Sequence, residues 1–294
     1  MIPRLVFFVA VLTGCAGGPD SDRREADRTI GTEPVPSHVE APASGTASSQ
    51  NVAEATPAPS ASTPLEEVPG PAKVEQIAVA GDLPASMVRG KTKRPILTVF
   101  LPGVCSNAYA YLASFTETAR AAGGVVAIDG DKPCAGSPGF HTFAAGTETQ
   151  HARIEAALVA AGVESIPPEG ITLIGYSQGA SIAERLAERW PERYQRIVLM
   201  GSPKDPSVDK LKNVRAVATM SCSLDVPPRM KGGAARLEKA GVPSAYFEMP
   251  GCTHGNIAEG DRVFGEVFAW LDERALPSKS GGQTVTLGAP KPTN

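Results

Sequence analysis

Residues 171 to 181 read Ile-Thr-Leu-Ile-Gly-Tyr-Ser-Gln-Gly-Ala-Ser. An apolar run leads into a serine framed by Gly175 and Gly179, and a helical pattern opens directly after it. Strand, tight turn and helix in that order hold a serine hydroxyl out as a nucleophile. The backbone there reverses so sharply that the residues two either side of the serine nearly touch, so both must lack bulky side chains. A free serine hydroxyl is a weak nucleophile. It needs a base to take its proton, an acid to orient that base, and N–H donors to hold the charge that develops on the attacked carbonyl oxygen.

The elements that would position those groups are legible as alternating runs. Apolar stretches at 96–103, 124–131, 171–177, 196–203, 214–222 and 243–251 are strand candidates, apolar on both faces as a covered sheet requires. Helical patterns lie between them near 107–122, 147–161, 179–190, 229–240 and 258–275. In the one after Ser177, residues Ile182, Leu186 and Trp190 recur at spacings of four, with Glu184, Arg185, Glu188 and Arg189 on other faces. Residues 73–80 and 85–90 read as an N-terminal hairpin. Strands alternating with helices predict an α/β fold, a mostly parallel central sheet with helices on both faces.

On the Gly175-Tyr176-Ser177-Gln178-Gly179 turn and this element order, residues 73–275 resemble an α/β-hydrolase, with a compactness similar to small carboxylesterases and dienelactone-hydrolase-type enzymes. In that family the acid follows the nucleophile and the histidine comes last. The resemblance therefore implies His254, in Gly-Cys-Thr-His-Gly-Asn after the final strand, as base. Of the other histidines, His38 precedes the domain, His141 precedes Ser177 and His151 falls within a predicted helix. For the acid it favours Asp225, followed by Val-Pro-Pro, over Asp205, with helix capping as the structural alternative for either. One oxyanion donor is expected at the N–H of Gln178, opening a helix whose dipole favours negative charge. By family position the other is the N–H of Val104. Where the family commonly shows His-Gly, this chain has Pro102-Gly103.

Four cysteines, Cys105, Cys134, Cys222 and Cys252, each follow a strand end. In the strand order that the resemblance implies, the strands before Cys105 and Cys134 are neighbours, as are those before Cys222 and Cys252. Those are the expected bridges, each closing a loop worth roughly 3 to 4 kcal/mol in the loop-entropy treatment. The spacing C-x-x-C of a tetrahedral zinc site is absent, so no metal is expected, and the chemistry implies no cofactor.

The ends of the chain carry different information. Residues 1–15 combine Arg4, an apolar stretch from Leu5 to Leu12 and a small-residue break, which fits an export signal and is too short to span a bilayer. The close, Leu12-Thr13-Gly14-Cys15, resembles the lipobox of bacterial lipoproteins and implies lipidation of Cys15; a cleaved signal that happens to hold a cysteine is the plainer alternative. Ala16 in the next position favours the outer membrane within that family. No aromatic residue occurs between Phe8 and Phe100, and residues 16–72 are rich in Pro, Ala, Ser, Thr and Glu. Such a segment cannot bury enough apolar area to offset its ordering entropy and reads as a disordered tether with a mean span of roughly 40 Å. Residues 278–294 read as a similar tail, leaving 73–277 as a single domain. Net charge is −3, and no basic cluster interleaves with aromatics, so nucleic acid is not an expected partner.

These features predict a membrane-tethered serine hydrolase that cleaves a small-molecule or polymer-bound carboxylic ester through an acyl-enzyme on Ser177. Peptidase or acyltransferase chemistry on the same triad is the alternative within enzymes, and a non-catalytic binding lipoprotein is the alternative outside them. The short connection after the strand at 196–201 leaves no room for a large helical lid. Tyr109, Phe140, Phe143 and Met230 are candidates for lining a pocket, with simple burial in the core as the plainer reading.

Overall fold

A computed structural model describes residues 66–274 and 284–288. In chain order the elements are β1 (Glu75–Ile77), β2 (Ala85–Arg89), β3 (Thr98–Leu101), α1 (Ala108–Leu112), α2 (Thr116–Ala121), β4 (Gly124–Ala127), β5 (Lys132–Pro133), β6 (His141–Thr142), α3 (Thr147–Ala160), β7 (Ser165–Ile166), β8 (Ile171–Tyr176), α4 (Gln178–Arg189), β9 (Tyr194–Met200), α5 (Val208–Leu211), β10 (Ala216–Cys222), α6 (Pro227–Lys239), β11 (Ser244–Met249), α7 (Gly260–Asp272) and β12 (Val285–Thr286).

Eight of the strands make one sheet in the order β1-β2-β4-β3-β8-β9-β10-β11. β2 is antiparallel to both of its neighbours, and every pairing from β4 to β11 is parallel. Alternation along each strand sends its side chains to two separate cores. Val99, Leu101, Ile171, Leu173, Ile197 and Leu199 join one core with α3, α4 and α6, while Phe100, Ile174, Tyr176, Val198 and Met200 join a second core with α1, α2 and α7. A period of two that is apolar at both phases can only be satisfied by helices on both faces.

The α4 stripe follows the expected spacing, with Ile182 and Leu186 buried and Trp190 packed at the edge of the same core. Burying each aliphatic side chain contributes about 1.5–3 kcal/mol. The stretch expected as one helix at 107–122 is two. Phe115 breaks it and is fully buried, stacking on Phe264 of α7 with ring centroids 3.9 Å apart. The aromatic pairing outweighs continuity of the helix.

Both domain edges differ from composition. Residues 66–72 fall in the stretch expected to be tether, yet Glu67 bridges to Thr92 and Val68 N–H donates to Lys91 O at 2.9 Å. Within the expected tail, β12 pairs antiparallel with β7. Backbone pairing does not need the apolar side chains that composition counts. The export signal, Cys15 and most of the tether lie outside the described residues, and among the described residues no helix is long and apolar enough to cross a membrane.

Because β3, β8, β9, β10 and β11 run parallel, the loops that follow them gather at one edge of the sheet. Val104, Ser177, Asp225 and His254 all lie in those loops. Between β9 and β10 the connection holds only α5, a four-residue helix.

Candidate active site

Ser177 joins β8 to α4 with φ 51° and ψ −111°, a conformation that L-residues rarely adopt outside functional turns. The flanking glycines permit it. A Cβ on Gly175 would fall 2.3 Å from the Gly179 carbonyl oxygen, and one on Gly179 would fall 2.1 Å from that of Leu101. Two hydrogen bonds fasten the turn from either side: Ser177 N–H donates to Met200 O at 2.8 Å and Gly179 N–H to Pro102 O at 3.1 Å.

Two other loops bring the remaining groups to that serine. His254 Nδ1 lies 2.8 Å from Asp225 Oδ2, and His254 Nε2 lies 2.9 Å from Ser177 Oγ. An ionised carboxylate can only accept, so Nδ1 carries the proton and donates to Asp225, and Nε2 is left to accept from the serine hydroxyl. The Asp225 side chain is 9% exposed and that of His254 46%. The carboxylate is therefore shielded while the imidazole faces solvent.

The acid and base loops are knitted to each other. Leu224 N–H donates to Cys252 O at 3.1 Å, Ser223 N–H to Met249 O at 2.9 Å, and Gly251 N–H to Ser223 Oγ at 2.9 Å. A disulfide joins Cys222 to Cys252, just ahead of Asp225 in one loop and His254 in the other. Gly201, at the end of β9, has φ 47°, and a Cβ there would meet Asp225 Oδ2 at 2.9 Å and Tyr176 Cε2 at 3.0 Å.

The other two expected cysteines, Cys105 and Cys134, form the second bridge, beside the loop that follows β3. In that loop Gly103 packs on Ser177: a Cβ would stand 3.2 Å from Ser177 Cβ. Ser106 Oγ donates to Gly103 O at 2.6 Å. Among the described residues neither the Val104 nor the Gln178 N–H donates to another backbone or side-chain group. The Gln178 side chain is engaged elsewhere. Its Oε1 accepts from Thr142 Oγ1 and Phe143 N–H at 2.9 and 3.0 Å, and its Nε2 donates to Phe143 O at 3.0 Å.

The rival candidates fall away from Ser177. Asp205 pairs with Arg236 at 2.9 Å and lies 3.8 Å from Arg229. His151 stacks on Trp190 and bonds the Tyr194 hydroxyl at 2.6 Å, and His141 pairs along the β5–β6 ladder. Of the apolar candidates, Phe143 and Met230 are core residues, Met230 on the inward side of α6 and Phe143 in the loop after β6. Tyr109 and Phe140 are exposed. Phe140 lines an open groove of about 440 Å³ beside the His254 loop, together with Ser106, Ala110, Tyr111, Asn256 and Ile257.

Tyr176 and Tyr111 were not legible as site residues. Tyr176 is 1% exposed, and its hydroxyl accepts from Gly255 N–H. Burial pushes both phenols above the ordinary tyrosine range. The position of Tyr176 directly before the serine was the one available signal.

No protein family and no curated protein matches the chain. Among solved structures it is similar to FphF, a fluorophosphonate-binding serine hydrolase of Staphylococcus aureus, at 11% identity and a TM-score of 0.52, over 69% of this chain and 99% of that one. The fold is the α/β-hydrolase fold. Similarity also extends to esterase PE8, at 20% identity and a TM-score of 0.49, and to the esterase domain of a Rhodothermus marinus protein, at 17% identity and 0.47; each covers 69% of this chain and 99% of its own.

Proposed function

We propose that this protein is a serine hydrolase that cleaves carboxylic esters, with Ser177 as nucleophile, His254 as general base and acid, Asp225 as the orienting acid, and the N–H groups of Val104 and Gln178 as oxyanion donors. The continuous hydrogen-bonded path from Asp225 Oδ2 through both His254 nitrogens to Ser177 Oγ carries this reading.

Ser177 Oγ attacks the ester carbonyl while its proton passes to His254 Nε2, and the charge moves to the carbonyl oxygen. Asp225 stabilises the imidazolium without taking its proton. Collapse breaks the bond to the alcohol, which leaves with the proton from Nε2, and an acyl group remains on Ser177. Water then attacks that ester, giving its proton to Nε2, and the acid is released as the proton returns to Ser177. Two unpaired N–H groups beside the serine suit a developing oxyanion, and losing one such donor typically slows turnover about a hundredfold or more.

Open access to His254 and the short β9–β10 connection support a small-molecule or polymer-bound ester that needs no lid movement. Cys15 is the proposed lipid anchor, with the outer membrane the favoured destination and residues 16–65 as the proposed tether. Labelled palmitate incorporated by the wild type and absent from Cys15→Ser tests that part.

The test of the chemistry combines a fluorophosphonate probe with a chain-length series of p-nitrophenyl esters. Labelling and hydrolysis in the wild type, both lost in Ser177→Ala, support the proposal. A folded wild type that does neither supports a binding protein instead. Asp225→Ala is expected to lose most of its activity and Asp205→Ala to keep it; the reverse pattern would overturn the assignment of the acid.

A further inference from the structure

His254 sits in an exposed loop, with Thr253, Gly255 and Asn256 also open to solvent. Exposed loops tend to sample many conformations, yet the imidazole must hold two hydrogen bonds at once. On the N-terminal side the Cys222–Cys252 bridge restrains the loop. On the C-terminal side the restraint comes from two tyrosines. Gly255 N–H donates to the Tyr176 hydroxyl, and the Tyr111 hydroxyl donates to Gly255 O at 3.0 Å. Both polar groups of the residue after the histidine are thereby held by phenols.

Those phenols have little freedom of their own. Tyr176 ends β8 and is 1% exposed, and its ring meets that of Tyr111 edge to face, with centroids 5.2 Å apart at 85°. Tyr111 packs in turn on Phe100 at 5.9 Å. The Tyr176 ring also lies 5.3 Å from the His254 ring. One side chain, covalently next to the nucleophile, thus touches the base and grips its loop.

We infer that Tyr176 and Tyr111 are positioning residues, a pair of hydroxyls that clamps Gly255 and so holds His254 Nε2 against Ser177. This inference rests on the serine-hydrolase reading above. The clamp acts through the imidazole and touches no reacting atom, so its loss lowers turnover and leaves substrate binding unchanged.

The experiment uses the full chain with Tyr176→Phe, Tyr111→Phe and His254→Ala, singly and with each tyrosine change combined with His254→Ala. Tyr176→Phe leaves the Gly255 N–H unpaired, and kcat on a p-nitrophenyl ester is expected to fall roughly tenfold or more with KM little changed. Tyr111→Phe is expected to show a smaller fall of the same kind. In the His254→Ala background neither change should reduce the residual rate further, because the group they position is gone. A Tyr176→Phe enzyme with wild-type kcat, or an equal loss that persists without His254, overturns the clamp.

The low-field proton resonance of His254 Nδ1 gives a readout that does not depend on turnover. Its broadening or loss in folded Tyr176→Phe supports the clamp, and an unchanged resonance overturns it. Should the wild type neither hydrolyse esters nor react with a fluorophosphonate, the hydrolase reading fails and this resonance still decides the clamp. Should Tyr176→Phe not fold, Tyr111→Phe decides: reduced kcat at unchanged KM supports the clamp, and wild-type kinetics overturn it.

Discussion

Ser177 and His254, the proposed nucleophile and base, are held in place by opposite means. Ser177 is set by steric necessity over five residues, where Gly175 and Gly179 approach so closely that no side chain fits. His254 is set from a distance: a disulfide to Cys222, a carboxylate on another loop and two tyrosines from β8 and α1 converge on a segment that is itself exposed. A turn whose glycines press on neighbouring backbone cannot move without disturbing its surroundings, whereas a solvent-facing loop has to be tied. Breaking the first should act mainly on the fold, and breaking the second should damage the chemistry beyond whatever stability is lost with it.

The largest effect is expected from Gly179→Ala. Its Cβ would overlap Leu101 O at 2.1 Å and Pro102 O at 2.7 Å, both of them backbone atoms. Loss of about 4 kcal/mol or more, read by chemical denaturation or as insoluble expression, is the expected result. A soluble variant of near wild-type stability would show that the elbow is not sterically set.

Removing the Cys222–Cys252 bridge as the double serine variant should cost roughly 3 to 4 kcal/mol by loop entropy. It should also lower kcat in the protein that remains folded, because the acid and base loops share that tie. The Cys105–Cys134 bridge closes a loop of nearly the same length, 29 against 30 residues of separation, and its double serine variant should lose similar stability. Its kinetic defect should trace to the Val104 donor and not to the histidine. Comparing kcat in the two variants with denaturation midpoints sharpens the contrast, since equal stability losses leave only the position of the bridge to differ.

Gly201→Ala tests the packing around Asp225, where the Tyr176 and His254 rings also come within 3.0 and 3.2 Å of the added carbon. The added methyl would press on Asp225 Oδ2 and would have to adopt φ 47°, a strain of about 1–3 kcal/mol. Turnover should fall by more than that stability loss explains, measured on samples whose folded fraction is confirmed by circular dichroism.

The smallest effect concerns Glu184, buried on α4 behind the elbow. Burial raises its carboxyl above the usual 4.5, against the Ser207 N–H and the charges of Lys210 and Arg185, which lower it. A raised carboxyl favours the protonated folded state, so its contribution is full below the unfolded value and is lost as pH rises through the folded one. Glu184→Gln should therefore flatten the decline in stability above about pH 4.5 without altering turnover, as urea titrations across pH would show.

Much of the fold was readable because strands and helices announce themselves through periodicity. All six apolar runs contain strands of the main sheet, and Ile182, Leu186 and Trp190 mark the buried stripe of α4. Misreadings arose where a single contact overrode local pattern. Phe115 split the helix at 107–122 to reach Phe264. The segments at 66–72 and 285–286 joined the domain by backbone pairing that composition cannot register. Tyr109 and Phe140 could not be told from Phe143 and Met230 as apolar residues in loops or helices, because exposure depends on what packs against them.

Sequence alone determined the strained serine turn, since two glycines at fixed spacing are a local steric requirement, and it determined which strands alternate with which helices. Asp225 and Asp205 were equally acidic loop residues by type, and only the folded chain decided between them by setting one 2.8 Å from His254 and the other against Arg236. The tyrosine pair around Gly255 was likewise a tertiary outcome, joining residues 79 and 144 positions apart. Contacts at such separation depend on strand order and loop path, which no short window of residues encodes.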